Sequence, residues 1–383
     1  MSRFLFVVPP LVGHINPAAA VAAELAERGH RVAWAAAPET VLDAVGADAE
    51  VYPCASPARA CRPPGSRGAA ALRFLWEDFL LPLAEAMTPG TREAIGAFRP
   101  DVVVADQQAL AGALAAERLG VRWATSATTP AEVGGYVAAL PGIEMWIRSL
   151  LTGLRERFGD PGATHDPRFS PDLVLAYTVA ELVDTTVPGV RFVGPALHTR
   201  GAAPDFPWEW LDPDRATALV SLGTVNTDIG GRFLAECVEA VRHRAHRLQA
   251  VITDPGGALA GTADATVLTL PRAPQLDLLP RMSAVICHAG HNTVTESLWH
   301  GVPLVVAPIR DDQPFVAART TDAGAAVRVR FGRDDHVRLG AALDTVLDGP
   351  DHRAAARRLR DRLRAAGGAG AAAGHLEMLA ARP

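Results

Sequence analysis

The residues best placed by type and spacing to do chemistry fall between Pro271 and Gly324. An apolar run, AVIC, ends at His288; Gly290 makes a turn; and Asn292, Thr293 and Glu296 follow on the opening of a helix. The unsatisfied N–H groups and positive dipole end of such a helix start form an anion site suited to a diphosphate. Asn292 and Glu296 are four apart and share one helix face, so Glu296 is expected exposed one turn in. A carboxylate there can take both hydroxyls of a ribose whose phosphates rest at the helix start. The next strand ends in PIRDDQP, where Asp312 and Gln313 offer acceptors and donors for sugar hydroxyls. Taken singly, each residue also fits a capped helix or polar turn of an ordinary α/β domain, and only the ordered set points to a nucleotide sugar.

A second constellation lies near the start. His14 follows a strand reading from Phe4 to Val8 and a Gly13 turn, just ahead of a helix predicted from Pro17 to Arg28 with Asn16 as its cap. Asp106 ends the buried run Val102 to Ala105. Both residues sit at the carboxyl ends of strands, the edge where parallel α/β sheets bind ligands. Asp106 can accept an imidazole N–H and stabilise the imidazolium formed when the other ring nitrogen takes a proton from an acceptor hydroxyl. A lone His beside a Gly turn is more often structural, and the shared strand-end placement is what favours chemistry here. Asp43 and Asp78 lack that placement and read as solvated. The Asp-x-Asp at Asp212 to Asp214 reads as a cap for a following helix, so no metal site is expected.

The elements that must hold these residues are two α/β halves. A chain of 383 residues is too long for one ordinary core. The expected boundaries are 1–200 for an acceptor-binding domain, 201–216 for a proline-rich linker and 217–383 for a nucleotide-sugar domain that includes a terminal helix. Two irregular stretches, about 52–92 and 128–158, read as binding loops. Phe74, Trp76, Phe79, Tyr136, Trp146 and Phe158, with Thr128, are expected to line a site for a flat apolar molecule, although the aromatic residues can equally pack the loops down.

Bulk properties exclude other classes. Hydrophobic residues make up 49% and charged residues 21%, with no apolar run of membrane-spanning length. The first apolar run stops at Pro9 and Pro10 and reads as a buried strand rather than a signal peptide, which gives a cytoplasmic expectation. The formal net charge of −5 and the scattered arginines argue against nucleic acid as partner. Cys54, Cys61, Cys237 and Cys287 lack C-x-x-C spacing and read as packing or surface thiols.

The stretch PRAPQLDLLPRMSAVICHAGHNTVTESLWHGVPLVVAPIRDDQ resembles the donor signature of family 1 glycosyltransferases: a Q-x-x-x-L stretch, an H-x-G-x-N/G-S/T-x-x-E core and a terminal D-Q. The nearest likeness is to bacterial macrolide- and carotenoid-type natural-product glucosyltransferases. The N-terminal P-x-x-G-H-x-N-P turn, Asp106, the linker and the SLGT turn fall in the family's order. The resemblance implies a GT-B fold, two Rossmann-like α/β domains facing each other across a cleft. It implies that His288, Thr293, the amides near Gly290, His291 and Asn292, and the Gly223–Thr224 turn meet the diphosphate. Glu296 would hold the ribose, Gln275 with the backbone of Arg272 and Ala273 the base, Asp312 with Gln313 the hexose, and His14 with Asp106 would form the catalytic dyad. Arg272 stands where plant relatives carry Trp, His291 where they often carry Trp, and Val316–Ala317 where Asn-Ala is common. The function implied is inverting, metal-independent transfer of a hexose, glucose first, from a UDP-sugar co-substrate to a small apolar natural product. No cofactor is implied, and the assembly would be a monomer or homodimer. A nucleotide-sugar 2-epimerase and a non-catalytic relative of the same fold stay open, whereas a two-domain dehydrogenase lacks its G-x-G-x-x-G after the first strand.

Overall fold

The computed structural model describes residues 1–57, 62–63, 65–66, 68–136, 140–185, 187–197, 205–223 and 229–382. They form two compact units, one of Met1–Arg62, Ala69–Gly201 and Ala365–Pro383, the other of Pro63–Gly68 and Ala202–Arg364.

The first unit is built on seven strands: β1 (Arg3–Val7), β2 (Arg31–Ala36), β3 (Val51–Pro53), β4 (Val102–Asp106), β5 (Trp123–Ala127), β6 (Val174–Ala176) and β7 (Val190–Phe192). All pair parallel in the order β3-β2-β1-β4-β5-β6-β7. Strands buried on both faces must be apolar throughout, which is why FLFV and VVVA carry no alternation. Phe4, Phe6 and Val104 enter one core cluster, and Leu5, Val7 and Val103 enter another. The strand order reverses between β1 and β4, and the gap at such a switch point is where doubly wound sheets bind ligands.

Helix boundaries in this unit depart from the sequence reading. The first helix runs Val12–Glu27 from an N-cap at Leu11, so Asn16 and Pro17 lie inside it and His14 stands in its first turn rather than ahead of it. The stretch expected to be loop is helical from Gly68 to Phe98, with a wider-wound segment at Phe74–Leu80, and Pro141–Phe158 is a helix too. Prolines are tolerated there: Pro82 and Pro141 sit at the starts of their helical segments, and beside Pro89 the Thr88 and Thr91 hydroxyls donate to the carbonyls of Ala84 and Met87. These helices have an apolar face to bury, and tertiary packing outweighs local propensity.

The terminal helix, Gly368–Ala380, also differs in allegiance. Sequence order places it with the second domain, but Ala372, Ala373, Leu376 and Leu379 bury into the cluster of Phe4, Phe6 and Val21. Glu377 accepts from Arg28 Nη1 and pairs with His30 Nε2, each at 2.9 Å.

The second unit follows the sequence reading closely. Its strands are β8 (Ala216–Ser221), β9 (Leu248–Thr253), β10 (Val267–Leu270), β11 (Ala284–Cys287), β12 (Leu304–Val306) and β13 (Ala326–Arg328), parallel in the order β10-β9-β8-β11-β12-β13. The order reverses between β8 and β11. Of the expected linker, 201–204 lies outside the described residues. The rest docks on this unit, with Arg281 over the Trp208 ring at 4.5 Å and Trp210 Nε1 donating to the Asp264 carbonyl at 3.2 Å. Asp212 caps no helix, because β8 follows; it accepts from Asp214 N and Arg215 Nε instead. Cys54, Cys237 and Cys287 are buried free thiols, and Cys61 lies outside the described residues. No helix among the described residues is long and apolar enough to cross a membrane.

Candidate active-site residues at the two switch points

In the first unit the parallel register that pairs Val7 with Ala105 brings the ends of β1 and β4 side by side. His14, in the turn of helix after β1, reaches Asp106 at the end of β4, with Nδ1 and Oδ1 3.0 Å apart. The histidine side chain is 15% exposed and the aspartate 0%, so the pair is desolvated on the carboxylate side only. Asp106 Oδ1 also accepts from Gln108 N at 2.9 Å.

Thr128 joins this pair. Its Oγ1 lies 2.7 Å from His14 Nδ1 and donates to Asp106 Oδ2 at 2.8 Å. Sequence reading placed Thr128 with the acceptor surface, and it missed Gln107 and Gln108, which bolt the β4 end to the β5 end. Gln107 Oε1 accepts from Thr129 N at 3.1 Å and Gln108 Nε2 donates to Thr129 Oγ1 at 3.3 Å. The signal was present as two glutamines following a strand-end aspartate, buried at 3% and 6%.

The aromatic residues assigned to the acceptor divide. Trp76 is 2% exposed in a cluster with Leu80, Leu110 and Ile147, while Phe79, Trp146 and Phe158 pack against that cluster. Trp76 is therefore core rather than lining, as an apolar ring on the inner side of three packed helices must be. Phe74 lies beneath the Arg62 guanidinium at 5.2 Å. Tyr136 is 44% exposed, and Val12, Leu140 and Met145 are exposed apolar side chains of the same unit.

In the second unit, pairing of Cys287 with Ser221 sets the ends of β11 and β8 side by side. His288 is 6% exposed, and its ring packs on two glycines. Gly223 has φ +71°, and a Cβ there would stand 2.8 Å from His288 Cε1; a Cβ on Gly290 would collide with Nε2. Burial pushes the imidazole down to about 4, the Arg310 charge adds to this, and the Ser221 backbone opposes it. His288 is thus neutral near pH 7. Between His288 and Gly290, Ala289 holds φ +63°, an uncommon conformation for a residue with a side chain.

The helix then runs His291–Trp299 from an N-cap at Gly290, with no side-chain cap hydrogen bond and no acidic residue in its first turn, a polarity that favours an anion there. Thr293 is 8% exposed. Glu296, expected on an exposed face, is 4% exposed, because Thr293 to Leu298 are all buried and this helix has no solvent side there. Its Oε2 accepts from Gln275 Nε2 at 2.5 Å. Arg272 is exposed and Ala273 half-buried on the approach to Gln275. Gln313 is buried, and its Oε1 accepts from Ile309 N at 2.9 Å and Arg310 N at 3.0 Å, which fixes the orientation of its amide. Asp312 is half-buried at the N-cap of the following helix, beside Asp311 at φ +56°. Val316 and Ala317 are core residues. Thr224 lies outside the described residues. Among those described, no group of three His, Cys, Asp or Glu side chains is gathered as for a metal ion.

Comparison with known proteins gives the family. The family model described as UDP-glucoronosyl and UDP-glucosyl transferase matches residues 171–362. The 4'-demethylrebeccamycin synthase of Lentzea aerocolonigenes is 30% identical over 406 residues, covering 94% of this chain and 95% of its own. Demethyllactenocin mycarosyltransferase of Streptomyces fradiae is 29% identical over 410 residues, covering 99% and 87%. The crystal structure of the glycotransferase of kitacinnamycin superposes with a TM-score of 0.80 at 26% identity over 99% of this chain and 98% of that one. With two parallel α/β units and this likeness along nearly its whole length, the chain belongs to the UDP-glucoronosyl and UDP-glucosyl transferase family and is a glycosyltransferase of GT-B fold.

Proposed function

We propose that the protein transfers glucose, or a hexose equally rich in hydroxyls, from a UDP-sugar to a hydroxyl of a small apolar natural product, with inversion and without a metal. The observation that carries the reading is the His14–Asp106 pair at 3.0 Å. With Nδ1 hydrogen-bonded to Asp106, Nε2 takes the acceptor proton as its oxygen attacks the anomeric carbon. The bond from that carbon to the diphosphate breaks on the opposite face, and a single displacement inverts the centre. The helix start at His291 and the His288 ring supply the leaving diphosphate with donors in place of a cation. Asp312 and the Gln313 amide favour a hydroxylated hexose, since these polar groups would lose partners with a deoxysugar. The names of the two curated relatives, one for demethylrebeccamycin and one for demethyllactenocin, support a natural-product acceptor.

The test is a panel of aglycones incubated with UDP-glucose, with and without EDTA, and products read by mass. His14→Ala should lower turnover on an alkyl hydroxyl by about 10²- to 10⁴-fold, the usual contribution of a general base, while UDP affinity holds. Near-normal turnover of that variant would remove His14 from the mechanism. Transfer from a dTDP-deoxysugar orders of magnitude faster than from UDP-glucose would overturn the donor assignment.

A further inference from the structure

We propose that Thr128 is a positioning residue for the base, closing His14 and Asp106 into a hydrogen-bonded triangle and setting which imidazole nitrogen carries the proton. The inference rests on His14 acting as the base. Ser126 pairs with Asp106 across β5 and β4, so Thr128, two residues on, emerges beside the carboxylate. It is 7% exposed, and its single hydroxyl hydrogen has one productive direction. A carboxylate only accepts, so the hydroxyl donates to Asp106 Oδ2 at 2.8 Å and turns a lone pair to His14 Nδ1 at 2.7 Å. The hydrogen-bond network therefore assigns the ring hydrogen to Nδ1, shared between Thr128 Oγ1 and Asp106 Oδ1, and leaves Nε2 as the proton acceptor. Gln108 N on Oδ1 and Thr128 on Oδ2 together hold the carboxylate plane. The Gln107 and Gln108 contacts to Thr129 fix the segment that carries Thr128.

Other charged or titratable groups face this triangle from two elements. Glu132, on the short helix Pro130–Val133, has its carboxyl raised by burial, with Arg168 opposing and Asp106 contributing. Tyr177, beyond β6, bonds Ser126 through its hydroxyl at 3.1 Å. Neither touches His14 Nδ1. Without the Thr128 hydroxyl, Oδ2 loses a donor at a side chain that is 0% exposed, so the carboxylate draws harder on the imidazolium. Loss of the hydroxyl as acceptor acts the other way and is weaker, because Nδ1–H keeps Oδ1. One hydrogen bond of ordinary net strength corresponds to roughly half to one pH unit.

The experiment uses the full chain labelled with ¹⁵N-histidine, free of substrates, with the His14 signal identified by its absence in His14→Ala. Thr128→Val should move the His14 titration midpoint upward by about half to one pH unit, and Thr128→Ser should leave it in place. On an alkyl-hydroxyl acceptor from the product screen, the acid limb of kcat should move by the same amount, with the rate recovered at high pH; damaged packing would lower it at every pH. Limited proteolysis of the first unit checks that each variant is folded, and Thr128→Ala replaces Thr128→Val if that variant is not. An unmoved midpoint without the hydroxyl, or an equal movement in Thr128→Ser, overturns the proposal. Near-normal transfer by His14→Ala overturns the base instead and leaves the titration result on Thr128 to be read separately.

Discussion

Gln275 and Glu296 satisfy each other: the amide nitrogen donates to the carboxylate at 2.5 Å, joining the segment after β10 to the helix that opens at His291. Gln275 was assigned to the base by family likeness, and Glu296 to the ribose by its place one turn into the helix and by the same likeness. Their mutual bond means that the carboxylate is already oriented before a ligand arrives, which reduces the ordering cost of binding.

Glu296→Ala should therefore act on stability as well as on binding. Removing the carboxylate leaves the half-buried Gln275 amide without this partner, a loss of about 1 kcal/mol. UDP affinity should fall by roughly tenfold or more, the equivalent of about 1.4 kcal/mol. Gln275→Ala should give part of the same loss, and the double variant less than the sum, since residues in contact are coupled. Calorimetry with UDP and chemical unfolding of the three variants decide it; strict additivity with unchanged affinity would separate the pair from the ligand.

Gly290 tests the phosphate end of the same unit. Its backbone is ordinary, but a Cβ would collide with His288 Nε2, and the ring is held from the other side by Gly223. Gly290→Ala should displace His288 and weaken UDP binding by tenfold or more, while Gly290→Ala in a His288→Ala background should cost little further, because the obstacle is gone. Equal penalties in both backgrounds would show that the glycine is needed for the backbone turn itself.

The placement of several candidate residues was legible in the sequence, because it follows from strand ends. His14 and Asp106, and His288 with Ser221 to Gly223, stand at or beside the ends of strands whose apolar runs are unmistakable, and parallel order alone brings those ends to the switch points. What was not legible depends on partners distant along the chain. The exposure of Glu296 was inferred from a four-residue spacing, yet the helix TVTESL is enclosed on every side. Trp76 was read as lining because its segment looked like loop, whereas the helices around it give the ring a core to enter. Thr128 and Asp106 are 22 residues apart, and no local pattern shows that a hydroxyl after β5 reaches the end of β4.

The terminal helix supplies a prediction about the unit it serves. Leu376 is 0% exposed among Phe4, Phe6 and Leu25, so Leu376→Ala should destabilise the first unit by about 2–5 kcal/mol, the usual cost of truncating a buried leucine. UDP affinity should be retained, since the donor residues belong to the second unit. Limited proteolysis read by mass locates the damage: new cleavage in 1–200 with an intact 217–364 region is expected, and the reverse would return the helix to the second unit.

His288 gives the pH dependence a definite sign. Its imidazole is held at about 4 in the folded protein against an ordinary 6.5. As pH falls below 6.5 the unfolded chain binds a proton that the folded chain refuses, so stability present above pH 6.5 is lost progressively toward pH 4. At 1.36 kcal/mol per pH unit the full loss is about 3 kcal/mol, a substantial part of a domain's stability. His300 and His375 are also lowered, by burial first, and they contribute in the same direction. Both remain in His288→Asn, so the difference between the two proteins isolates His288. Unfolding free energy measured at half-unit steps from pH 7 to 4 should fall less steeply in the variant. Stability curves of equal slope would mean that the ring is charged in the folded protein and that its burial between Gly223 and Gly290 does not control it.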